Sequence, residues 1–239
     1  MWKIQRAVAM VSAVFLALLT VGVSAATLPP HLVDAGLLAG RNEAQCSGGL
    51  DLYFVLDRSS SVSNEHFQEQ TVDFVETLLQ SFTSSKMRAS FITFSSPDKS
   101  RVIMPLTGSR TQMESGISDL RQLGTSGGTS LQPGLAHANR QIQQSEDGTA
   151  SVIITLTDGI LDDRNKAIDE AEVSRSLGAK VLAVRVGDSN TEDLQNVADP
   201  PAKEHIFRGD TFNDLQSIII QIVNTSCIEI LSATPTSVC

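Results

Sequence analysis

Positive charge is scarce in this sequence. Its 239 residues include 18 lysines and arginines against 27 aspartates and glutamates, so the formal net charge is -9. A nucleic-acid-binding domain needs a basic surface to neutralise phosphates, and nucleic acid is therefore not an expected partner. The acidity is compatible with solubility outside the cell and with cation binding.

Two common catalytic signatures are also missing. Ser59, His137 and Asp158 supply the residue types of a hydrolytic triad, but no Gly-x-Ser-x-Gly turn supports it. Gly127-Gly128 is not followed by Gly-Lys-Ser/Thr, so it is not a phosphate-binding loop. We therefore expect a protein that is not an enzyme. A metal-dependent phosphohydrolase is the enzyme alternative, although Arg58 alone does not provide a phosphate site.

Only the start of the sequence contains an apolar stretch that approaches the length of a membrane span. Lys3 and Arg6 precede the apolar stretch 7–23, and Val23-Ser24-Ala25 offers a small-residue cleavage site. This pattern predicts a signal peptide at 1–25, with a retained signal anchor as the alternative. No second apolar span follows, so we expect a secreted chain or one on the extracellular face of the plasma membrane. Membrane attachment would require a segment downstream of this sequence.

Cysteine is rare, with three residues in the chain. Cys46 lies just before the first predicted core strand and Cys227 just after the last predicted helix, so pairing them would join the two ends of one domain. Cys239 is left over, either as a free thiol or as a residue whose partner lies further downstream.

The remainder of the chain alternates between apolar strands and amphipathic helices. Leu50–Leu56 is an apolar run typical of a strand buried on both faces, and apolar residues at three- and four-residue steps predict a helix over 63–82. The alternation predicts a doubly wound α/β fold, with a mostly parallel sheet, one short antiparallel edge strand containing Pro105, and helices on both faces. Further strands are predicted at 88–95, 101–106, 151–157, 180–186 and 205–207, and further helices at 111–123, 131–144, 163–177, 191–198 and 211–224.

Domain boundaries follow from the same pattern. Residues 26–47 contain Pro29-Pro30 and no sustained period, which indicates a leader or linker. The α/β domain is predicted at 48–227. Residues 228–239 are interpreted as the start of a truncated following domain.

Oxygen-bearing side chains follow two strands that we expect at the sheet centre. Asp57, Ser59 and Ser61 come directly after the first strand, Asp158 follows strand 151–157, and Thr129 follows a glycine pair. Ligand sites of open α/β sheets lie at the carboxyl ends of the strands, where these loops would meet. Carboxylates and hydroxyls are hard ligands suited to Mg²⁺, with Mn²⁺ or Ca²⁺ as alternatives. Taken singly, Asp57 or either serine would be better explained as a helix cap.

This set, Asp-x-Ser-x-Ser with a loop threonine and a second aspartate, resembles the metal-ion-dependent adhesion site of von Willebrand factor A domains, also called integrin I domains. The resemblance implies one cation held by Asp57, Ser59, Ser61, Thr129 and Asp158. It also implies an extracellular protein ligand, of collagen-like or laminin-like type, whose acidic side chain completes the coordination. Ser60 departs from the family's usual glycine but removes no ligand.

A narrower likeness concerns the strand 51–57 and the segment 226–233, which look like the anthrax toxin receptor group of these domains. In that group a cysteine pair closes the domain ends, which supports Cys46 with Cys227, and an immunoglobulin-like domain follows, which would account for Cys239. A domain that has lost adhesion and serves as a structural matrix module is the alternative.

Two further features have local interpretations. Asp162 and Asp163 are expected at the start of a solvated helix, where acidic residues complement the helix dipole. Asn224-Thr225-Ser226 is a glycosylation sequon, with an unmodified helix end as the alternative.

Overall fold

One six-stranded sheet forms the centre of the domain. The structure is a computed structural model that describes residues 49–82, 84–145, 149–187 and 191–233. Within those ranges the strand order is β3-β2-β1-β4-β5-β6, and β3 alone runs antiparallel to its neighbour. This confirms the predicted doubly wound sheet with an antiparallel edge strand. The strands are β1 (Leu50–Asp57), β2 (Met87–Phe94), β3 (Arg101–Thr107), β4 (Ala150–Thr157), β5 (Lys180–Val186) and β6 (Ile206–Gly209).

Helices cover both faces of this sheet, as predicted. Apolar residues of α1, α2 and α6 share one buried cluster with the sheet, and those of α3 and α4 share the other. The helices are α1 (Val72–Ser81), α2 (Arg110–Arg121), α3 (Gln132–Gln144), α4 (Arg164–Ser176), α5 (Ala202–His205) and α6 (Leu215–Ala233). A π-helical segment, His66–Thr71, leads into α1.

The central position of β1 explains why its six residues other than Asp51 and Asp57 are apolar. All eight of its residues are buried, and it pairs in parallel with β2 on one side and β4 on the other. Phe54 and Leu56 enter one core cluster while Tyr53 and Val55 enter the other, as the two-residue period of a strand requires. Because β1 and β4 are parallel neighbours, the loops that follow them leave the same edge of the sheet.

Two predicted helices differ from the structure. Residues 191–197 form turns instead of a helix, and Pro200 follows shortly after them. The last helix continues to Ala233, beyond the predicted end at Asn224, and passes through residue 227 without a break. No glycine or proline interrupts the sequence until Pro235, so nothing in the chain chemistry stops the helix earlier.

Several expectations fall outside the described residues. These are the signal peptide at 1–25, the linker at 26–47, and both Cys46 and Cys239. Cys227 is disulfide-bonded, and its pairing with Cys46 stays a prediction. Among the residues that the structure describes, no helix combines the length and the apolarity needed to cross a membrane.

Candidate metal site

Asp57 is the last residue of β1 and is fully buried. Its Oδ1 accepts a hydrogen bond from the Ser59 backbone N–H at 2.8 Å, and its Oδ2 accepts one from Thr157 Oγ1 at 2.6 Å. Burial raises the pKa of Asp57 from 3.8 to about 6, against the opposing effect of these two donors. The helix-cap alternative does not hold for Asp57, because Ser63 Oγ accepts from His66 N where the helical segment begins.

The two motif serines connect β1 to the loop after β4. Ser59 Oγ lies 2.9 Å from Ser61 Oγ, and Ser61 Oγ donates to Asp158 Oδ1 at 2.8 Å. Residues 97 positions apart in the sequence are thus in direct contact. This contact follows from the parallel pairing of β1 with β4.

Thr129 joins this group across Gly159. A Cβ placed on Gly159 would lie 3.0 Å from Thr129 Oγ1 and 3.3 Å from Ser61 Oγ, so the Gly159 backbone approaches both hydroxyls closely. Thr129 is itself buried. The structure therefore brings together all five residues that the sequence marked as candidate ligands.

Asp162 and Asp163 directly precede α4, as predicted, and their side chains also organise the loop that carries Thr129. Asp162 Oδ2 accepts from the Thr129 N–H at 2.7 Å, and Asp162 N donates back to the Thr129 carbonyl at 3.1 Å. The Asp163 carboxylate accepts from the N–H groups of Leu131 and Gln132 at the start of α3, while its backbone carbonyl accepts from Ala167 N at the start of α4. Burial raises the pKa of Asp163.

Arg185 is a charged residue that lies fully buried within β5. Its Nη1 donates to the Gly159 carbonyl and lies 3.9 Å from Asp193 Oδ2, which in turn accepts from Leu161 N at 3.0 Å. Burial lowers the pKa of Arg185, while Asp193, Asp158 and Asp57 raise it. Arg185 and Asp193 thus hold both sides of the turn that carries Asp158.

The sequence patterns did not identify Arg185, Asp193 or Thr157 as supports of the site. A signal existed for Arg185, since a lone arginine in the otherwise apolar strand 181–186 needs a buried acceptor. Thr157 and Asp193 carried no such signal, because their roles depend on which strands and turns become neighbours.

His137 does not join the site. Its Nε2 lies 3.2 Å from the Ser100 carbonyl and its Nδ1 lies 2.6 Å from Arg140 Nη2. Burial lowers the pKa of His137. The Ser59–His137–Asp158 triad is therefore not assembled.

The rim of the site contains a cavity and an exposed aliphatic side chain. A cavity of about 620 Å³ adjoins Ser61 and Asp158 and is bounded by His66, whose ring stacks on Phe212 with centroids 4.6 Å apart. Ile160, directly after Gly159, is 73% exposed.

The donor set fits a small hard cation. Two carboxylates and three hydroxyls surround the turn at Gly159, and these are the oxygen ligands that Mg²⁺ prefers. Asp57 has no salt-bridge partner among the described residues, so a divalent cation would offset the cost of burying its charge. Over the same residues, no three His, Cys, Asp or Glu side chains cluster to hold a metal, so the hydroxyls are essential to the fit.

Comparisons with known proteins agree with this fold. The profile of the von Willebrand factor type A domain matches residues 51–221. The chain is 26% identical over 198 residues to Matrilin-1 of Gallus gallus, covering 80% of this chain and 40% of that protein. It is 29% identical over 188 residues to Matrilin-4 of Homo sapiens, covering 76% of this chain and 30% of that protein. The chain therefore spans less than half the length of these curated relatives.

Solved structures give the same architecture. Proximal thread matrix protein 1 from the mussel byssus, with zinc in its metal-ion-dependent adhesion site, matches with a TM-score of 0.66 and 23% identity over 77% of this chain and 47% of that chain. The manganese-loaded TRAP protein of Plasmodium vivax matches with a TM-score of 0.57 and 17% identity over 72% of this chain and 74% of that chain. At these identities the likeness establishes the fold alone.

Proposed function

This chain belongs to the von Willebrand factor type A domain family, and from that premise we propose that it is an extracellular, non-enzymatic module that binds a protein ligand through a divalent cation. The ligands would be Asp57, Ser59, Ser61, Thr129 and Asp158. The observation that carries the proposal is the contact of Ser61 with Asp158 and, across Gly159, with Thr129. Three separate loops thereby converge on one point.

A cation at this point would supply positive charge for an incoming anion. Mg²⁺ is coordinated by six oxygens and keeps water where protein does not reach, with Mn²⁺ or Ca²⁺ as alternatives. Only two of the five proposed ligands carry charge, so an acidic side chain of the partner would complete both the coordination and the neutralisation. Ile160 at the rim would add apolar contact area around that carboxylate.

The partner we propose is an extracellular protein of collagen-like or laminin-like type. Zinc in the adhesion site of the mussel thread protein and manganese in the TRAP structure support a divalent cation here. We propose that the protein is secreted or lies on the extracellular face of the plasma membrane.

The narrower grouping with anthrax toxin receptors is part of this proposal. It requires a bond between Cys46 and Cys227, and it is compatible with a glycan on Asn224, which is exposed on α6. Peptide mapping of the secreted protein without reduction, followed by mass spectrometry, would identify the partner of Cys227 and the occupancy of Asn224. A bond from Cys227 to Cys239 would contradict the grouping.

Magnesium titration tests the site itself. Protein stripped with EDTA should bind Mg²⁺ in calorimetry and gain thermal stability, because a ligand that binds only the folded state stabilises it. Asp57→Ala and Thr129→Ala should lose both effects. Thr111→Ala, at an exposed position of α2, is the matched control and should retain them.

Two results would contradict the proposal. Absence of heat and of stabilisation in the wild type would leave a structural module without an adhesion site. Magnesium-dependent turnover of a model phosphate ester that is lost in Asp57→Ala would instead indicate a phosphohydrolase.

A further inference from the structure

A group of three cations lies beside the candidate metal site. Arg58 is the second residue of the motif loop, Lys99 lies in the connection from β2 to β3, and Arg101 is the first residue of β3. Lys99 and Arg101 are exposed, and Arg58 is half-buried. We call these three residues the basic patch. Its position is unexpected in a chain of net charge -9.

Hydrogen bonds tie the basic patch to the loop that carries Thr129. Arg58 donates from Nη1 to the Gly124 carbonyl at 2.8 Å and from Nη2 to the Lys99 carbonyl at 3.3 Å. Lys99 Nζ donates to Ser126 Oγ at 3.2 Å. Ser126 N in turn donates to the Arg58 carbonyl at 2.9 Å. Arg58 and Lys99 are thus held against the loop that carries the candidate ligand Thr129.

The three cations lack carboxylate partners. Over the described residues, none of them lies within salt-bridge distance of an acidic side chain, including Asp98 in the same turn. The Arg58 N–H donates to the Phe94 carbonyl at 2.9 Å, and Arg101 pairs with the preceding residue, Thr93, so the two arginines lie close together. Like charges held together without partners cost free energy in the isolated domain, and an anionic ligand would offset that cost.

We propose that the basic patch selects partners in which the metal-binding carboxylate is accompanied by further acidic residues in the same segment. This inference rests on the proposed function, since one carboxylate must reach the cation at Asp57 and Asp158. Its neighbours would then pair with Lys99 and Arg101. A short acidic protein segment fits better than a long sulfated polysaccharide, because the patch has only three cations and the rest of the chain is acidic.

Peptide titrations followed by amide chemical shifts of the labelled full chain test this inference, because that readout detects millimolar affinities. One probe carries a single glutamate among glycines and serines, and the other adds two aspartates beside that glutamate. In Mg²⁺ the triacidic peptide should bind the wild type more tightly. Lys99→Gln with Arg101→Gln should weaken the triacidic peptide about three- to tenfold and the single-glutamate peptide by less than twofold.

The matched control is Arg110→Gln with Lys203→Gln. It removes the same two charges from exposed positions in α2 and α5, away from the motif loops, and should bind both peptides as the wild type does. The inference would be overturned if the patch variant weakened binding of each peptide to the same extent as the control variant does.

Three further results separate the possibilities. Absence of magnesium-dependent binding of either peptide would overturn the proposed function together with this inference. Magnesium-dependent binding with no preference for the triacidic peptide would overturn this inference alone. Binding of a heparin fragment in EDTA that the patch variant loses, without peptide discrimination, would assign the patch to a polysaccharide and overturn the inference.

Discussion

The Arg185 guanidinium donates a hydrogen bond to the carbonyl of Gly159, the residue that follows the candidate ligand Asp158. Arg185 is fully buried, and its Nη1 lies 3.9 Å from Oδ2 of Asp193, which also accepts a hydrogen bond from Leu161 N. A charged side chain in this environment is tolerated because it is hydrogen-bonded and partly neutralised. The turn at Asp158 is therefore positioned from within the core as well as from the loop itself.

Removing this arginine should be costly. We expect Arg185→Met to lower the free energy of unfolding by about 3 kcal/mol, because Asp193 would remain buried without its cation. Arg185→Met combined with Asp193→Asn should cost less than the sum of the two single changes. Urea unfolding of the four proteins measures this coupling, and strict additivity would show that the two side chains do not act as a pair.

Asp57 should make the metal-free protein less stable as pH rises. Its pKa is about 6 when folded against 3.8 for the unfolded chain, so folding favours the protonated form. The contribution is fully present below 3.8 and is lost as pH rises through 6, by about 2 to 3 kcal/mol between pH 4 and 7.5. Urea unfolding in EDTA should show this loss in the wild type relative to Asp57→Asn. A constant difference between the two proteins would refute it.

The ion pair at the other end of β1 should matter for stability without affecting the metal site. Arg88 binds the fully buried Asp51 through two hydrogen bonds of 2.7 and 2.6 Å. Arg88→Met would remove both of these charge-assisted hydrogen bonds from a buried carboxylate and should lower the free energy of unfolding by about 3 kcal/mol. Asp51 and Asp57 are separated by about 20 Å along the strand. Magnesium affinity of the folded variant should therefore change less than twofold, and a larger change in calorimetry would show that the two ends of β1 are coupled.

The fold was predictable because the central strands are mostly apolar. Strands β1 and β4 are buried on both faces, which is typical of a parallel sheet covered by helices on both sides. Pro105 indicated the edge strand, which pairs antiparallel. The turns at 191–197 were harder, since that segment has a helical spacing of apolar residues but ends at consecutive prolines. Local pattern alone does not decide between a short helix and a series of turns.

The candidate ligands were also predictable, but their supports were not. Asp57, Ser59 and Ser61 form a local motif, and a strand order with β1 next to β4 brings Asp158 to them. Thr157, Asp162 and Arg185 act through contacts between residues at least 26 positions apart. No spacing rule identifies such pairs before the fold is known.

A methyl group on Gly159 should impair the site with little effect on the rest of the fold. The added Cβ would lie 3.0 Å from Thr129 Oγ1 and 3.3 Å from Ser61 Oγ, so at least one hydroxyl must shift. Both hydroxyls are proposed ligands, and we expect Gly159→Ala to weaken magnesium binding about tenfold or more, because ligand geometry around Mg²⁺ is strict. Gly108→Ala is the control, since its Cβ would meet its nearest neighbour at 3.6 Å, an ordinary contact. Calorimetry on both variants, with unfolding curves to confirm that each is folded, decides the matter. Unchanged magnesium affinity in Gly159→Ala would mean that Thr129 and Ser61 are not ligands of the same ion.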